Sequence, residues 1–135
     1  MDTTLRMVIT VLCGVGLYAS IFMLAKARRA ERGELTEPSV VQTPRARLFG
    51  GIPNAAFGVV YYPALAVGIW AASTPHEIGA LLLLAAIAAG TSIRLAYSLL
   101  YVTRMPCVYC WTSHVVNWSL VLLLSFALFK LSYWQ

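Results

Sequence analysis

The sequence predicts an all-α integral membrane protein built as a four-helix bundle, and three observations carry that prediction. The first is composition: 60% of the residues are hydrophobic and 11% charged, with a mean hydropathy of +0.76. An ordinary soluble domain is about 45–50% apolar and about 25% charged. A chain of 135 residues buries only about two-thirds of its unfolded surface, so the excess is not a large soluble core, and disorder is excluded equally. The second observation is four stretches without a charge, at 7–25, 48–75, 78–93 and 105–129. A spanning helix needs about 20 mostly apolar residues. The third is chemical: backbone in lipid must satisfy its own hydrogen bonds, and these runs are too long for barrel strands.

The elements follow in order. A first helix is predicted over about 5–26; its apolar run is longer than a leader's and its basic cluster follows it, so it reads as a span rather than a cleaved leader. A basic linker over 27–50 carries Arg28, Arg29, Glu31, Arg32, Glu34, Glu37, Arg45 and Arg47. The second helix is predicted over about 52–73, with a tight turn around 73–77. The third, over about 78–102, reaches spanning length by continuing past Arg94 to Val102. A short connection at 103–106 leads into the fourth helix, about 106–131, where Pro106 suits a first turn because its missing N–H would be unpaired anyway. Short connections make antiparallel neighbours, so a single four-helix domain over 1–135 is expected. No repeat, phosphate-binding glycine loop or helical zinc-protease signature occurs. Trp111, Trp118, Tyr133 and Trp134 are expected as interface or lipid-facing aromatics.

The formal charge is +5. In a soluble chain that would suggest nucleic acid; here no nucleic acid partner is expected, because basic residues flanking spans set membrane orientation. Lys26, Arg28, Arg29, Arg32, Arg45, Arg47 and Arg104 lie at the linker end, against Arg6 and Lys130 at the other. This asymmetry places the linker and the start of the fourth helix in the cytoplasm of a plasma-membrane, multi-pass protein.

Of three cysteines, Cys107 and Cys110 form a Cys-x-x-Cys at a helix start. There the sulfurs lie about a turn apart, and unpaired N–H groups with the helix dipole stabilise thiolate. A thiol of that kind attacks disulfides, and its neighbour closes the ring. Half of a zinc site, completed by His114, His76 or Cys13, is the competing reading, and two incidental core thiols a third; no resident metal is expected. Cys13 itself reads as packing. Cys107, Cys110, His114 and Asn117 fall at helical steps on one face. Polar groups inside a membrane mark functional sites or serve as interhelical glue, and Asn117 alone fits either. The second helix presents Asn54, Phe57, Gly58, Tyr61, Tyr62 and Leu65 at the same spacing: an amide that donates and accepts, a glycine open to close approach, and aromatics able to flank a flat ring or simply to pack. The third adds Thr91, Arg94, Tyr97, Ser98 and Tyr101, where Arg94 either snorkels or lines the same cavity.

These two segments resemble a known family. The stretch from Leu48 through Gly50, Gly51, Pro53, Asn54 and Phe57 to Gly58, with Tyr61, Tyr62 and Pro63, is similar to the second-helix signature of the vitamin K epoxide reductase family. Cys107 to Leu120 looks like its redox helix. The resemblance implies a bundle holding a quinone of ubiquinone or menaquinone type, with electrons passing from a dithiol to the quinone in support of disulfide formation. By position, Cys110 would face the quinone and Cys107 the thiol donor; Asn54 would hydrogen-bond one carbonyl and His114 stand near the other, with Phe57, Gly58, Tyr61 and Asn117 completing the site.

The chain departs from the family pattern in one respect. Members carry two further cysteines in the first loop, expected near Glu37–Pro38–Ser39 and about eight residues earlier, and this linker has none. Either a partner thiol reaches Cys107 directly, or the chain has been altered, or catalysis is lost. No thioredoxin-like domain is present in the sequence, so a thioredoxin-like or other dithiol protein is expected to act in trans. The family norm places the Cys-x-x-Cys outside the cytoplasm, where disulfides persist, against the charge count; a cytoplasmic site suits only a cell that keeps disulfides inside. The expected function is therefore a quinone-dependent thiol oxidoreductase. The alternatives are a non-catalytic quinone- or lipid-binding subunit of a membrane assembly, and a metal carrier using Cys107, Cys110 and His114.

Overall fold

The computed structural model describes residues 1–133; Trp134, expected as an interface aromatic, lies outside the described residues. Four long helices, α1 (Thr3–Glu31), α2 (Asn54–Ala71), α3 (Pro75–Tyr97) and α4 (Val108–Tyr133), make up the chain. A π-helical turn, Ser98–Val102, prolongs α3, and three single 3-10 turns, Val40–Gln42, Pro44–Ala46 and Phe49–Gly51, punctuate the linker. All four helices are long and apolar enough to cross a membrane. Among the described residues there is no strand, only an isolated bridge between Arg47 and Pro53. The all-α membrane bundle read from composition is the fold observed.

The element ends differ from the sequence-based expectation for local reasons. Helix α1 runs past the charge-free stretch to Glu31, because Arg28 and Arg29 sit in its last turn, where cations suit the dipole. It closes in a Schellman motif: Gly33, at φ 72°, donates to the Ala30 carbonyl at 3.0 Å and Glu34 to the Arg29 carbonyl at 3.0 Å. Helix α2 starts at Asn54, two residues later than expected, because Gly50 and Gly51 adopt positive φ and Leu48 N–H bonds back to the Ile52 carbonyl at 2.8 Å. At its other end Arg6 of α1 acts as a cap: the guanidinium donates to the Trp70 carbonyl at 2.8 Å and to the Ala72 carbonyl at 3.0 Å, two acceptors the helix end would leave unpaired.

The stretch read as a turn at 73–77 is half helix. Pro75 occupies the first position of α3, Glu77 accepts from the Ser73 and Thr74 N–H groups at 2.7 and 2.8 Å, and Thr74 Oγ1 accepts from Glu77 N–H at 3.3 Å. This is a capping box, and the Thr74–Glu77 spacing carries its signature. Helix α4 begins at Val108 rather than 106, so Pro106 precedes the helix instead of opening it. The chain enters that position through Arg104 at φ 50°.

The helices form an incomplete ring. Helix α1 packs along both α2 and α4, and α3 packs along α4, whereas α2 and α3 touch only sparsely. The resulting C-shaped cross-section has its open side between α2 and α3. The core runs through Ile9, Leu65, Ile69, Ile78, Leu120 and Leu124, all fully buried; Cys13 belongs to it as a buried free thiol. Val11, Val67, Leu83 and Leu122 are exposed, as a lipid-facing surface requires. Tyr62 lies flat against α1 where Gly16 has no side chain; a Cβ there would overlap its ring.

Overpacking a filled core costs about 1–3 kcal/mol. Gly16→Ala should therefore lower the thermal unfolding midpoint of detergent-purified protein. Gly14→Ala, whose Cβ would meet nothing within 4 Å, should leave the midpoint unchanged or raise it.

Candidate functional site

The open side of the ring leads into a cavity of about 450 Å³ near the linker end of the bundle. Ser20 and Met23 of α1, Asn54, Phe57, Gly58 and Tyr61 of α2, Thr91, Ser92 and Leu95 of α3, and Cys110, Ser113, His114 and Asn117 of α4 form its wall. The linker turns back over it with Val40, Val41, Thr43 and Leu48. Val41 and Ser39 are buried beneath this roof, whose first turn is held by Ser39 N–H donating to Gln42 Oε1 at 2.9 Å. Arg47 ties the roof to α1 through Glu31 at 2.8 Å and to its own base through the Gly51 carbonyl at 2.8 Å. The wall is mostly apolar, as small-molecule sites usually are.

Cys107 and Cys110 are joined in a disulfide, with their Cα atoms 5.3 Å apart. Cys107 stands just ahead of α4 in the N-cap position; its carbonyl accepts from Trp111 N–H at 3.1 Å and its Sγ accepts from Cys110 N–H at 3.2 Å. A sulfur that takes the place of a capping oxygen lies among the unpaired donors of the helix end, where thiolate is favoured. The two cysteines face different ways. Cys110 forms part of the cavity wall; Cys107 does not, and its Sγ lies 3.9 Å from Met23 Sδ on α1.

All six residues expected to surround a ligand, Asn54, Phe57, Gly58, Tyr61, His114 and Asn117, line this one cavity, but they are not equivalent. Asn117 is buried and committed: its Oδ1 accepts from the Tyr62 hydroxyl at 2.9 Å and its Nδ2 donates to Ser92 Oγ at 2.7 Å. It is the interhelical link as well as part of the wall, joining α4 to α2 and α3 at the cavity floor. The close approach at Gly58 is taken by Ser20 of α1, whose Oγ occupies the space a Cβ would need. Tyr62, grouped by spacing with residues that could flank a flat ring, is a buried strut between Gly16 and Asn117.

His114 is different in kind. It is 3% exposed, and neither ring nitrogen has a hydrogen-bond partner; the Tyr61 hydroxyl is also buried without one. Buried polar atoms are nearly always paired, and exceptions point to an ordered water, an ion or a catalytic role. The ring of His114 lies beside Trp118 and edge-on to Trp111, so aromatic neighbours hold it without satisfying it. The third-helix set divides: Thr91 and Ser98 reach the cavity, while Arg94, Tyr97 and Tyr101 are exposed and do not line it. His76 lies at the opposite end in the first turn of α3, and among the described residues no group of three His, Cys, Asp or Glu side chains is arranged to hold a metal.

Sequence reasoning missed Ser92, Met23 and the linker roof. Ser92 sits beside Thr91 in the sequence, but only the pairing of α3 with α4 shows that it meets Asn117. Met23 and Val41 carried none.

The model of the vitamin K epoxide reductase family matches residues 7–125, most of the chain, and the protein belongs to that family. It is thus a multi-pass membrane protein and, in general terms, an oxidoreductase of a family that works with quinones and dithiol partners. A search of curated proteins returns no significant match.

Tyr62→Phe leaves Asn117 Oδ1 without its donor, and buried interhelical hydrogen bonds in membranes contribute about 0.6–2 kcal/mol. This variant and Ser92→Ala should each lower the unfolding midpoint, and the double variant should fall short of their sum because both act through Asn117. A double-mutant cycle on thermal midpoints measures it.

Proposed function

We propose that the protein is a membrane thiol-disulfide oxidoreductase in which electrons pass from a dithiol partner through Cys107 and Cys110 to a quinone held in the cavity. The observation that carries this reading is the position of the disulfide: Cys110 lies in the wall of an apolar cavity lined by all four helices, and Cys107 is not part of that wall. The cavity fits a quinone on three counts. Its volume is within the range of small-molecule sites, about 300–1,000 Å³. Its lining includes Val60 of α2 and Ile87 of α3, both exposed apolar residues, which supports entry of an isoprenoid-bearing ring from the lipid between these helices. Its wall includes His114 with unpartnered nitrogens, together with the Asn54 amide. When bound, the quinone supplies a two-electron acceptor.

The residues of the chain would act as follows. A donor thiolate attacks Cys107 Sγ and breaks the Cys107–Cys110 bond, leaving Cys110 as thiolate at the cavity wall; the donor's second thiol then releases Cys107 and leaves the donor as a disulfide. Asn54 and His114 would hold the two carbonyl oxygens, and Phe57 and Tyr61 would flank the ring. Cys110 would give up the electron pair as its bond to Cys107 re-formed, and the two protons of the dithiol would balance the reduction. The net change is dithiol plus quinone to disulfide plus quinol. The missing linker cysteines favour a second reading, a non-catalytic quinone-binding subunit; the disulfide at the cavity wall supports the first.

The purified protein with dithiothreitol should reduce ubiquinone or menaquinone analogues, followed by quinone absorbance, with Cys107→Ser and Cys110→Ser at the background rate. Full turnover in Cys110→Ser would remove the mechanism. Asn54→Ala and His114→Ala should each raise KM about tenfold, the loss of one hydrogen bond. The charge asymmetry supports a cytoplasmic placement of the cysteine end, so a cysteine placed at Arg32 should resist a membrane-impermeant maleimide on intact cells and react once the membrane is opened.

A further inference from the structure

The route by which a donor reaches Cys107 is also written in the structure. Relay cysteines are missing from the linker, and the linker itself is employed as the cavity roof, with Val40, Val41, Thr43 and Leu48 turned inward. Cys107 is half-buried rather than enclosed, and beyond its own turn its sulfur touches Met23 of α1. Two cations flank this position. Lys26 is one helical step beyond Met23 on α1, on the same face. Arg104 is exposed and three residues from Cys107, so at most about 10 Å of extended chain separates them, roughly one Debye length at 0.1 M salt.

Neither cation is held in an ion pair. The ion pairs among the described residues take Arg29, Arg32, Arg47 and Lys130, and neither Lys26 nor Arg104 is in any of them. Glu31 and Glu34 are occupied by Arg47 and by Arg29 with Arg32. The one other linker carboxylate, Glu37, is exposed and pairs with no cation among the described residues. No acidic residue occurs after Glu77, so α4, most of α3 and the segment leading into Cys107 carry no carboxylate.

We propose that the donor attacks Cys107 directly, without an internal relay, and that it carries negative charge beside its reactive sulfur, matched to Lys26 and Arg104. The step balances as disulfide exchange: the donor sulfur bonds to Cys107 Sγ, the Cys107–Cys110 bond breaks with Cys110 leaving as thiolate, and a second donor thiol displaces Cys107. The oxidant is the disulfide present in the structure. The inference rests on the redox reading of this pair but requires no quinone, so its test is separable from that reading.

The experiment uses the full chain, oxidised, in nanodiscs of zwitterionic lipid with no quinone added. Opening of the disulfide is timed by alkylation and mass for three small thiols: anionic mercaptoethanesulfonate, neutral 2-mercaptoethanol and cationic cysteamine. Each rate is divided by that thiol's rate with a small neutral disulfide, which removes intrinsic reactivity. The expected order is anionic, neutral, cationic, with about tenfold between the extremes at low salt, the effect of two unit charges about 10 Å away in water. The spread should collapse at high salt. It should also collapse in the double variant Lys26→Gln, Arg104→Asn, asparagine being chosen because it tolerates positive φ. Each thiol reacts as its thiolate, so cysteamine, an ammonium thiolate, is the net-neutral nucleophile. An unchanged rate with it shows that the variant's site is intact; should that rate fall, the salt series on the unaltered protein decides. Equal normalised rates for the three thiols, or a spread that survives high salt, would overturn the proposal.

Discussion

The buried amide of Asn117 is the interaction on which the site depends. In lipid, an amide without partners is costly, and this one is satisfied by a tyrosine on α2 and a serine on α3. Those bonds fix the rotation of α4 relative to both neighbours. The rotation in turn sets where Cys110 and His114 point, because they lie seven and three residues earlier on the same helix face. The same bonds also link α2 and α3, which pack only sparsely on each other, through a shared partner on α4. Tyr62 can play its part only because Gly16 leaves room for its ring, so a glycine on α1 is coupled through two residues to the cysteine pair on α4.

The division of labour between the cysteines has an equally local origin. Starting α4 at Val108 makes Cys107 the cap and puts Cys110 in the first turn. The same three-residue spacing that permits the disulfide leaves one residue of the pair in the cavity wall and the other outside it. In the proposed function, a thiol donor and the acceptor would then meet the pair at different surfaces, neither displacing the other.

Much of this was legible in the sequence. The four charge-free runs specified the helices, and the steps among Cys107, Cys110, His114 and Asn117, and among Asn54, Phe57, Gly58 and Tyr61, specified two polar faces that do meet at one cavity. Pattern could not show which side chains spend their hydrogen bonds on the protein and which keep them free. Asn117 and His114 look alike as polar residues on one stripe; only the positions of Tyr62 and Ser92 make the first a brace and leave the second unpartnered. The linker was opaque for another reason: a charged, proline-bearing stretch has no periodicity, and its role as a roof depends on three single turns and the two glycines at 50 and 51. Gly58 was recognised as a point of close approach, but its neighbour was Ser20 of α1, which no local pattern announces.

The central claim is that the cysteine pair and an acceptor in the cavity exchange two electrons within one protein, and a single anaerobic turnover tests it most directly. The pair is reduced, the reductant is removed, and one equivalent of a short-chain quinone is added while quinol is followed by absorbance and free thiols by alkylation and mass. The account predicts one quinol formed for each Cys107–Cys110 disulfide regained, with Cys13 unchanged. A pair that stays reduced while quinone is bound would contradict it and leave the protein a binding subunit.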